Sequence, residues 1–409
     1  MRVLFITDTI PYPPDSGNRL RVYHLLKQLA REHELWLVAP VRSSEEVDGE
    51  AVEHIRKYCQ HVHVAVRERY SRLQHVPGLV RYALKGLPPE LKFEYSPAFV
   101  ALIQQITSTV DFDIIHIEPS YLALYREALP RNIRARLVLT YHNVEYSLFQ
   151  RIARIEKQPA VKLRTYLHSM MLRRWEPLYA EHFDRCIMMS ELDRQQMLAA
   201  NPRLNIHVSP NGVDTEAYVP LPEDGAAPDL LFIGSMNYQP CIDGALFFCQ
   251  EILPQIRAQA GDTGLWLVGR NPAPEVEALA SHNIHVTGWV EDVIPYYRRT
   301  LVSVVPLRAG SGTRLKVLEA MALGRAVVST SIGCEGIDVV DGEHLFIADE
   351  AHEFAAKTCR LLQDTELRHR MIARARELVV SRYDWRAIAR DLSSVYRDVC
   401  REPNLQGVA

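Results

Sequence analysis

"SVVPLRAGSGTRLKVLEAMALGRAVVST", residues 303–330, decides how the chain folds. It opens with an apolar run, SVVPL. It passes through a Gly/Ser/Thr loop, RAGSGT, and enters a segment of helical periodicity that Gly324 closes. AVVST then begins a second apolar run. Short continuous apolar runs are the mark of strands buried on both faces, and a helix between two such strands is the crossover of a parallel sheet. Ser311 or Thr313 can cap this helix at its start, and glycine suits the residue just past its end.

Working outward, the same alternation recurs along the chain. RVLFIT, HELWLVAP, FDIIHIE, ARLVLTYHN and RCIMMS are strand-like in the first half. DLLFIGSM, LWLVG, IHVTGW, VSVVPL and AVVST are strand-like in the second. Helical spacing lies between them, as in Val22, Leu25, Leu26 and Leu29, and again in DGALFFCQEILPQIRAQ. The pattern predicts an α/β protein of two doubly wound domains in tandem. A Pro-, Gly- and Asp-rich stretch at 210–229 marks the join, so that residues 1–215 form the first domain and 216–384 the second. The last helices run to about Val399, and REPNLQGVA reads as a frayed tail. Ligands of such sheets bind beyond the carboxyl ends of the strands, which directs attention to an interdomain cleft.

Composition narrows the function classes. Of 409 residues, 47% are hydrophobic and 24% charged, as in ordinary globular proteins. A net charge of −3 argues against a dedicated nucleic-acid binder. Residues 1–215 hold 28 Lys+Arg against 24 Asp+Glu, or +4; the remainder holds 19 against 26, or −7. Residues 56–92 concentrate eight basic residues against Glu68 and Glu90, interleaved with apolar ones. This segment could rest on anionic lipid or on an acceptor lipid's head group, or be a solvated surface helix. Seven scattered cysteines with no CxxC pair suit a reducing compartment. No apolar window nears the about 18 residues of a membrane span, and the N-terminal run is too short for a signal peptide. The expected location is cytoplasmic, with possible peripheral contact on the inner face of the plasma membrane.

The residues just after strands carry the chemistry. Gly17 lies in the turn after RVLFIT, where a helix start offers free N–H groups. No GxGxxG follows any strand, which speaks against dinucleotide binding. His142 ends LVLTYHN on the ligand side, whereas His116 lies deeper in its own strand and reads as structural. Gly234 and Ser235 follow DLLFI and are small enough to approach a phosphate. No HExxH or DxD spacing is present, and no metal site is expected. In the opening stretch, Gly312, Lys316 and Glu319 share one helix face, with Arg314 roughly opposite Lys316. A cation near a helix N-terminus favours an anion such as a diphosphate, and a carboxylate one turn on accepts hydrogen bonds from a diol such as ribose. The competing reading is a solvated Lys316–Glu319 pair worth about 0.2–0.5 kcal/mol.

VVPLRAGSGTRLKVLEAMALGRAVVST resembles the C-terminal signature of the family 4 retaining glycosyltransferases, which have the GT-B fold. HVSPNGVD and LLFIGSM upstream, IHVTGWVEDVIPYYRRTLVSVVPL before it and STSIGCEGIDVVDGEHLFIAD after it strengthen the likeness. The resemblance is strong over 205–350 and looser over 1–150, where TYHNVEY is most similar to bacterial sugar transferases of exopolysaccharide clusters. It implies two Rossmann-like domains facing a cleft, with a C-terminal helix at about 385–400 packing back on the first. Glu319 matches the second glutamate of the E-x7-E pattern, which holds the donor's ribose. Lys316, with Arg314 as second choice, matches the diphosphate cation. His142 matches a histidine that contacts the donor sugar, and Gly17 a glycine loop facing the phosphates. Gly234, Ser235, Gly310, Ser311, Gly312 and Thr313 complete the donor set.

Two departures stand out. Many relatives carry an Arg and a Lys after the LLFIGSM strand, where this chain has GSMNYQPCIDG. Ser311 stands where the family pattern has its first glutamate. The implied reaction is retaining, metal-independent transfer from a nucleotide-diphosphate sugar to a saccharide or lipid-linked acceptor, with no further cofactor. The alternatives are a nucleotide-sugar 2-epimerase and a non-catalytic GT-B-like nucleotide-binding module.

Overall fold

Each apolar run becomes a strand whose neighbours all run parallel to it. The computed structural model describes residues 1–47, 49–66, 96–156, 158–223, 227–309 and 314–402. The chain divides into two compact units. The first comprises Met1–Gln150, Leu163–Pro210 and the C-terminal stretch from Trp385; the second comprises Arg151–Lys162 and Asn211–Asp384. The change of unit thus falls at Pro210, not at 215, and residues 151–162 group with the second unit.

The first unit holds β1 (Arg2–Thr7), β2 (Glu34–Val41), β3 (His61–Val66), β4 (Ile114–Glu118), β5 (Arg136–Tyr141), β6 (Arg185–Met188) and β7 (Ile206–Val208). Their order is β3-β2-β1-β4-β5-β6-β7, so the winding reverses between β1 and β4. Thr7 of β1 is in register with Glu118 of β4 at that switch point. Alternation along β1 splits the core in two. Val3 and Phe5 join one cluster, and Leu4 and Ile6 join the other, each fully buried. Each such side chain contributes about 1.5–3 kcal/mol on burial. The first cluster is covered by α1 (Gly17–Leu29), through Leu25 and Leu26, and by the chain's last described helix, through Trp385, Leu392 and Tyr396.

The second unit holds β8 (Ala227–Ile233), β9 (Leu265–Val268), β10 (Ile284–Val286), β11 (Thr300–Val305), β12 (Ala326–Ser329) and β13 (Phe346–Ile347). Their order is β10-β9-β8-β11-β12-β13, with the switch point between β8 and β11.

Three local expectations need correction. Residues 61–66, inside the stretch read as a surface helix, form the edge strand β3. The segment read as a helix over 243–259 is helical throughout but takes a π-helical turn at Phe248–Ile252, because Pro254 has no N–H to continue the regular ladder. The helix of the opening stretch runs Leu315–Ala322 with Arg314 at its N-cap; the expected caps, Ser311 and Thr313, lie outside the described residues. Gly324 does follow its end, at φ +69°.

Candidate active site

In the first unit, polar side chains gather where β1, β4 and β5 end. Gly17 is the exposed first residue of α1, one turn before Arg21. Arg21 is completely buried, and its Nε donates to Glu118 Oε1 at 3.1 Å while Nη1 donates to the Pro210 carbonyl at 2.8 Å. Glu118, equally buried, lies 2.9 Å from His142 Nε2 through Oε1 and 3.6 Å from His116 Nε2 through Oε2. Burial pushes the Glu118 carboxyl up. His142, Arg21 and His116 together outweigh that and hold it down at about 2. Burial pushes His116 down to about 4, and both its ring nitrogens are taken up by the hydroxyls of Tyr396 and Thr140. His142 keeps 13% of its side chain exposed, and so presents the accessible edge of this network.

The segment after His142 is held from below. Glu176, buried in a neighbouring helix, accepts from the N–H groups of Glu145 and Tyr146 at 3.1 and 2.9 Å. These are free donors at the start of α2 (Glu145–Ile155), which a carboxylate satisfies well. Arg21 and Glu176 were not singled out by sequence reasoning. A buried arginine in an amphipathic helix looks like any polar position until its partner is known.

In the second unit, β8 ends at Ile233 and the chain continues through Gly234 and Ser235, both partly exposed. A Cβ on Gly234 would lie 2.7 Å from Cys241 Sγ and 2.9 Å from Lys316 Nζ. The ammonium of Lys316 therefore rests directly against the strand end, 5.0 Å from the Phe232 ring centroid. Gly269, at the end of β9, abuts the Gly234 carbonyl so closely that a Cβ would come within 1.6 Å of it. Lys316 thus occupies the ground just after β8, where the family resemblance implies an arginine and a lysine that this chain lacks.

Glu319 lies one turn along the same helix, partly exposed, and forms no ion pair with Lys316 among the described residues. Burial raises its carboxyl to about 7, with Lys316 holding it back. Tyr218 and Tyr297 face it, and both phenols are pushed up by burial first and by Glu319 next. Arg314 does not project as expected. It is buried, its Nε donates to the Ile332 carbonyl at 3.2 Å, and its Nη2 lies 4.0 Å from Glu335. Gly310, Ser311, Gly312 and Thr313 lie outside the described residues. The structure thus groups Gly234, Ser235, Lys316 and Glu319 in the second unit, and Gly17 and His142 in the first.

Two doubly wound parallel sheets in succession, each with its polar residues at the strand ends, are the architecture of the GT-B enzymes. Residues 17–217 match the family described as Glycosyltransferase Family 4, and residues 227–364 match Glycosyl transferases group 1. A Phosphatidyl-myo-inositol mannosyltransferase of Mycolicibacterium smegmatis is 28% identical over 326 residues, covering 75% of this chain and 77% of its own. An uncharacterized 44.6 kDa protein in the cps region of Klebsiella pneumoniae is 21% identical over 373 residues, 87% and 89% of the two chains. Among solved structures, sucrose-phosphate synthase from Thermosynechococcus elongatus superposes with a TM-score of 0.73 at 18% identity, covering 98% and 99%. The chain belongs to the family 4 glycosyltransferases.

Proposed function

We propose that this glycosyltransferase moves a hexosyl unit from a nucleotide-diphosphate sugar to a saccharide or lipid-linked acceptor, with retention of configuration and without a metal ion. The observation that carries the proposal is the Lys316 ammonium seated on Gly234 at the end of β8, a turn before Glu319. Charge develops on the diphosphate as the C1–O bond breaks, and a preplaced cation beside backbone N–H groups stabilises it. Glu319, as carboxylate, accepts from the ribose hydroxyls. The acceptor oxygen bonds to C1 on the face the diphosphate leaves, and its proton passes to the departing phosphate oxygen. No protein nucleophile is needed. His142 carries the contact to the donor sugar that the family resemblance implies. Arg314, whose Nε donates to the Ile332 carbonyl, stands second to Lys316 for the diphosphate.

The relatives support the acceptor class: one is named for transfer to a phosphatidyl-inositol lipid, and another is encoded in a cps region. Both names are in keeping with a role in polysaccharide or glycoconjugate synthesis. Thermal-shift screening with UDP, GDP, ADP and dTDP sugars, in the presence of a chelator, identifies the donor, because stabilisation grows as RT ln(1 + [L]/Kd). Turnover of that donor is then compared with Lys316→Ala. A loss of about 100-fold or more in kcat with unchanged melting is expected. Near-normal turnover overturns the diphosphate role, and a requirement for metal overturns the mechanism.

A further inference from the structure

The basic segment 56–92, which could rest on lipid or be a solvated surface helix, passes into β3 by His61, and its residues 67–92 lie outside the described residues. Another element presents an exposed apolar face. Helix α3 (Pro159–Ala180) turns Ser169, Leu172, Trp175 and Glu176 inward. Its opposite side is not polar. Leu163, Tyr166, Leu167 and Met170 are exposed by 59%, 49%, 52% and 52%. Their spacing of three, four and seven residues places them in one stripe along the helix. Four large apolar side chains in a contiguous solvent-facing stripe mark an interaction surface rather than scattered surface hydrophobics.

The charges around the stripe identify its partner. Arg164, Arg173 and Arg174 are exposed, and none of them pairs with a carboxylate among the described residues. The chain has no acidic residue between Pro159 and Trp175. A protein partner would need acidic groups matched to these positions, whereas an anionic bilayer presents negative charge everywhere. Leucine and methionine can enter the acyl boundary, tyrosine suits the head-group level, and the long arginine stems let their guanidinium groups reach the phosphates. We propose that the exposed face of α3 docks this protein on the surface of an anionic lipid bilayer, lying in the plane of the interface. The proposal adds a surface to the transferase reading and does not depend on which donor or acceptor is used.

Flotation of the full chain tests it, with vesicles of phosphatidylcholine alone and of equimolar phosphatidylcholine and phosphatidylglycerol. The wild type is expected to float with the anionic vesicles only, and less so as salt is raised. Two variants change exposed positions only: Leu163→Ser with Leu167→Ser, and Arg173→Glu with Arg174→Glu. Each should lower partitioning by about tenfold or more at an unchanged melting temperature. Absence of wild-type flotation at low salt overturns the proposal, as does wild-type partitioning by both variants. A concentration-dependent dimer that the leucine pair abolishes also overturns it, by assigning the face to a second copy of the chain.

Discussion

Glu118 and Glu319 are two carboxylates crowded by protein, one in each unit, and the fold moves them in opposite directions. Around Glu118 it supplies Arg21 at 3.1 Å, His142 at 2.9 Å and His116 at 3.6 Å, and the carboxyl is held at about 2. Around Glu319 it supplies two phenols and one lysine whose ammonium is turned toward Gly234, and the carboxyl rises to about 7. Burial acts the same way on both. What differs is whether the polypeptide provides the compensating partners or leaves them to come from outside. A carboxylate with its partners built in is framework, and it fixes His142. A carboxylate lacking them is the more costly arrangement, and it makes sense where a ligand's hydroxyls complete it.

The sharpest way to break this comparison is Glu118→Leu. It leaves a buried guanidinium uncompensated and should destabilise the first unit by about 3–5 kcal/mol in denaturant unfolding. A loss under about 1 kcal/mol would mean that the network contributes little. Glu118 has a folded value below 4.5, so its contribution is complete above 4.5 and is lost as pH falls toward 2.

Glu319 predicts the reverse slope. Its folded value lies above 4.5, so the folded protein binds the proton more tightly than the unfolded chain does. Its contribution to stability in the absence of donor is fully present below 4.5 and is lost as pH rises to about 7, a decline of up to about 3 kcal/mol. Glu319→Gln should flatten that decline while weakening donor binding. A pH profile identical to wild type in the variant removes Glu319 from the comparison.

The smallest expected effect refines the picture of Lys316. Gly234→Ala puts a methyl 2.9 Å from its ammonium and 2.7 Å from Cys241 Sγ. Lys316 is long and can move, but Cys241 is short and buried and must shift its sulfur, so stability should fall by about 1–2 kcal/mol while donor affinity falls about tenfold. Gly269→Ala is the control. There the methyl meets the Gly234 carbonyl itself, backbone that cannot yield, and the variant should fold poorly. Equal stability losses in the two variants would mean that the lysine and Cys241 are as rigid as the backbone.

Ten of the thirteen described strands were legible because strands buried on both faces read as continuous apolar runs, whereas β7 and β13, three and two residues long, leave little such run to read. His142, Gly234, Lys316 and Glu319 were legible because they follow such runs or fall on one helical face. Strand β3 escaped because its alternating histidines and valines lie among arginines and lysines, which masks a period of two. The commitment of Arg314 to Ile332 and Glu335, and of Arg21 to Glu118, joins residues 18, 21 and 97 positions apart in the chain. Helical periodicity assigns a face to an arginine, but it does not say what waits there.

The order in which the chain is made adds a constraint of its own. Nearly all of the second unit is one continuous stretch, Asn211–Asp384, whereas the first waits for the helix Trp385–Arg401. That helix brings Trp385 against His24, Ser393 to His33, and the Tyr396 hydroxyl to His116. During synthesis the N-terminal half therefore emerges first but closes last, with one side of its sheet only partly covered, by α1, until the C-terminal helix has left the ribosome. A nascent or truncated chain ending at Asp384 lacks the side chains that pack on His24, His33 and His116, even though the unit made second is already complete.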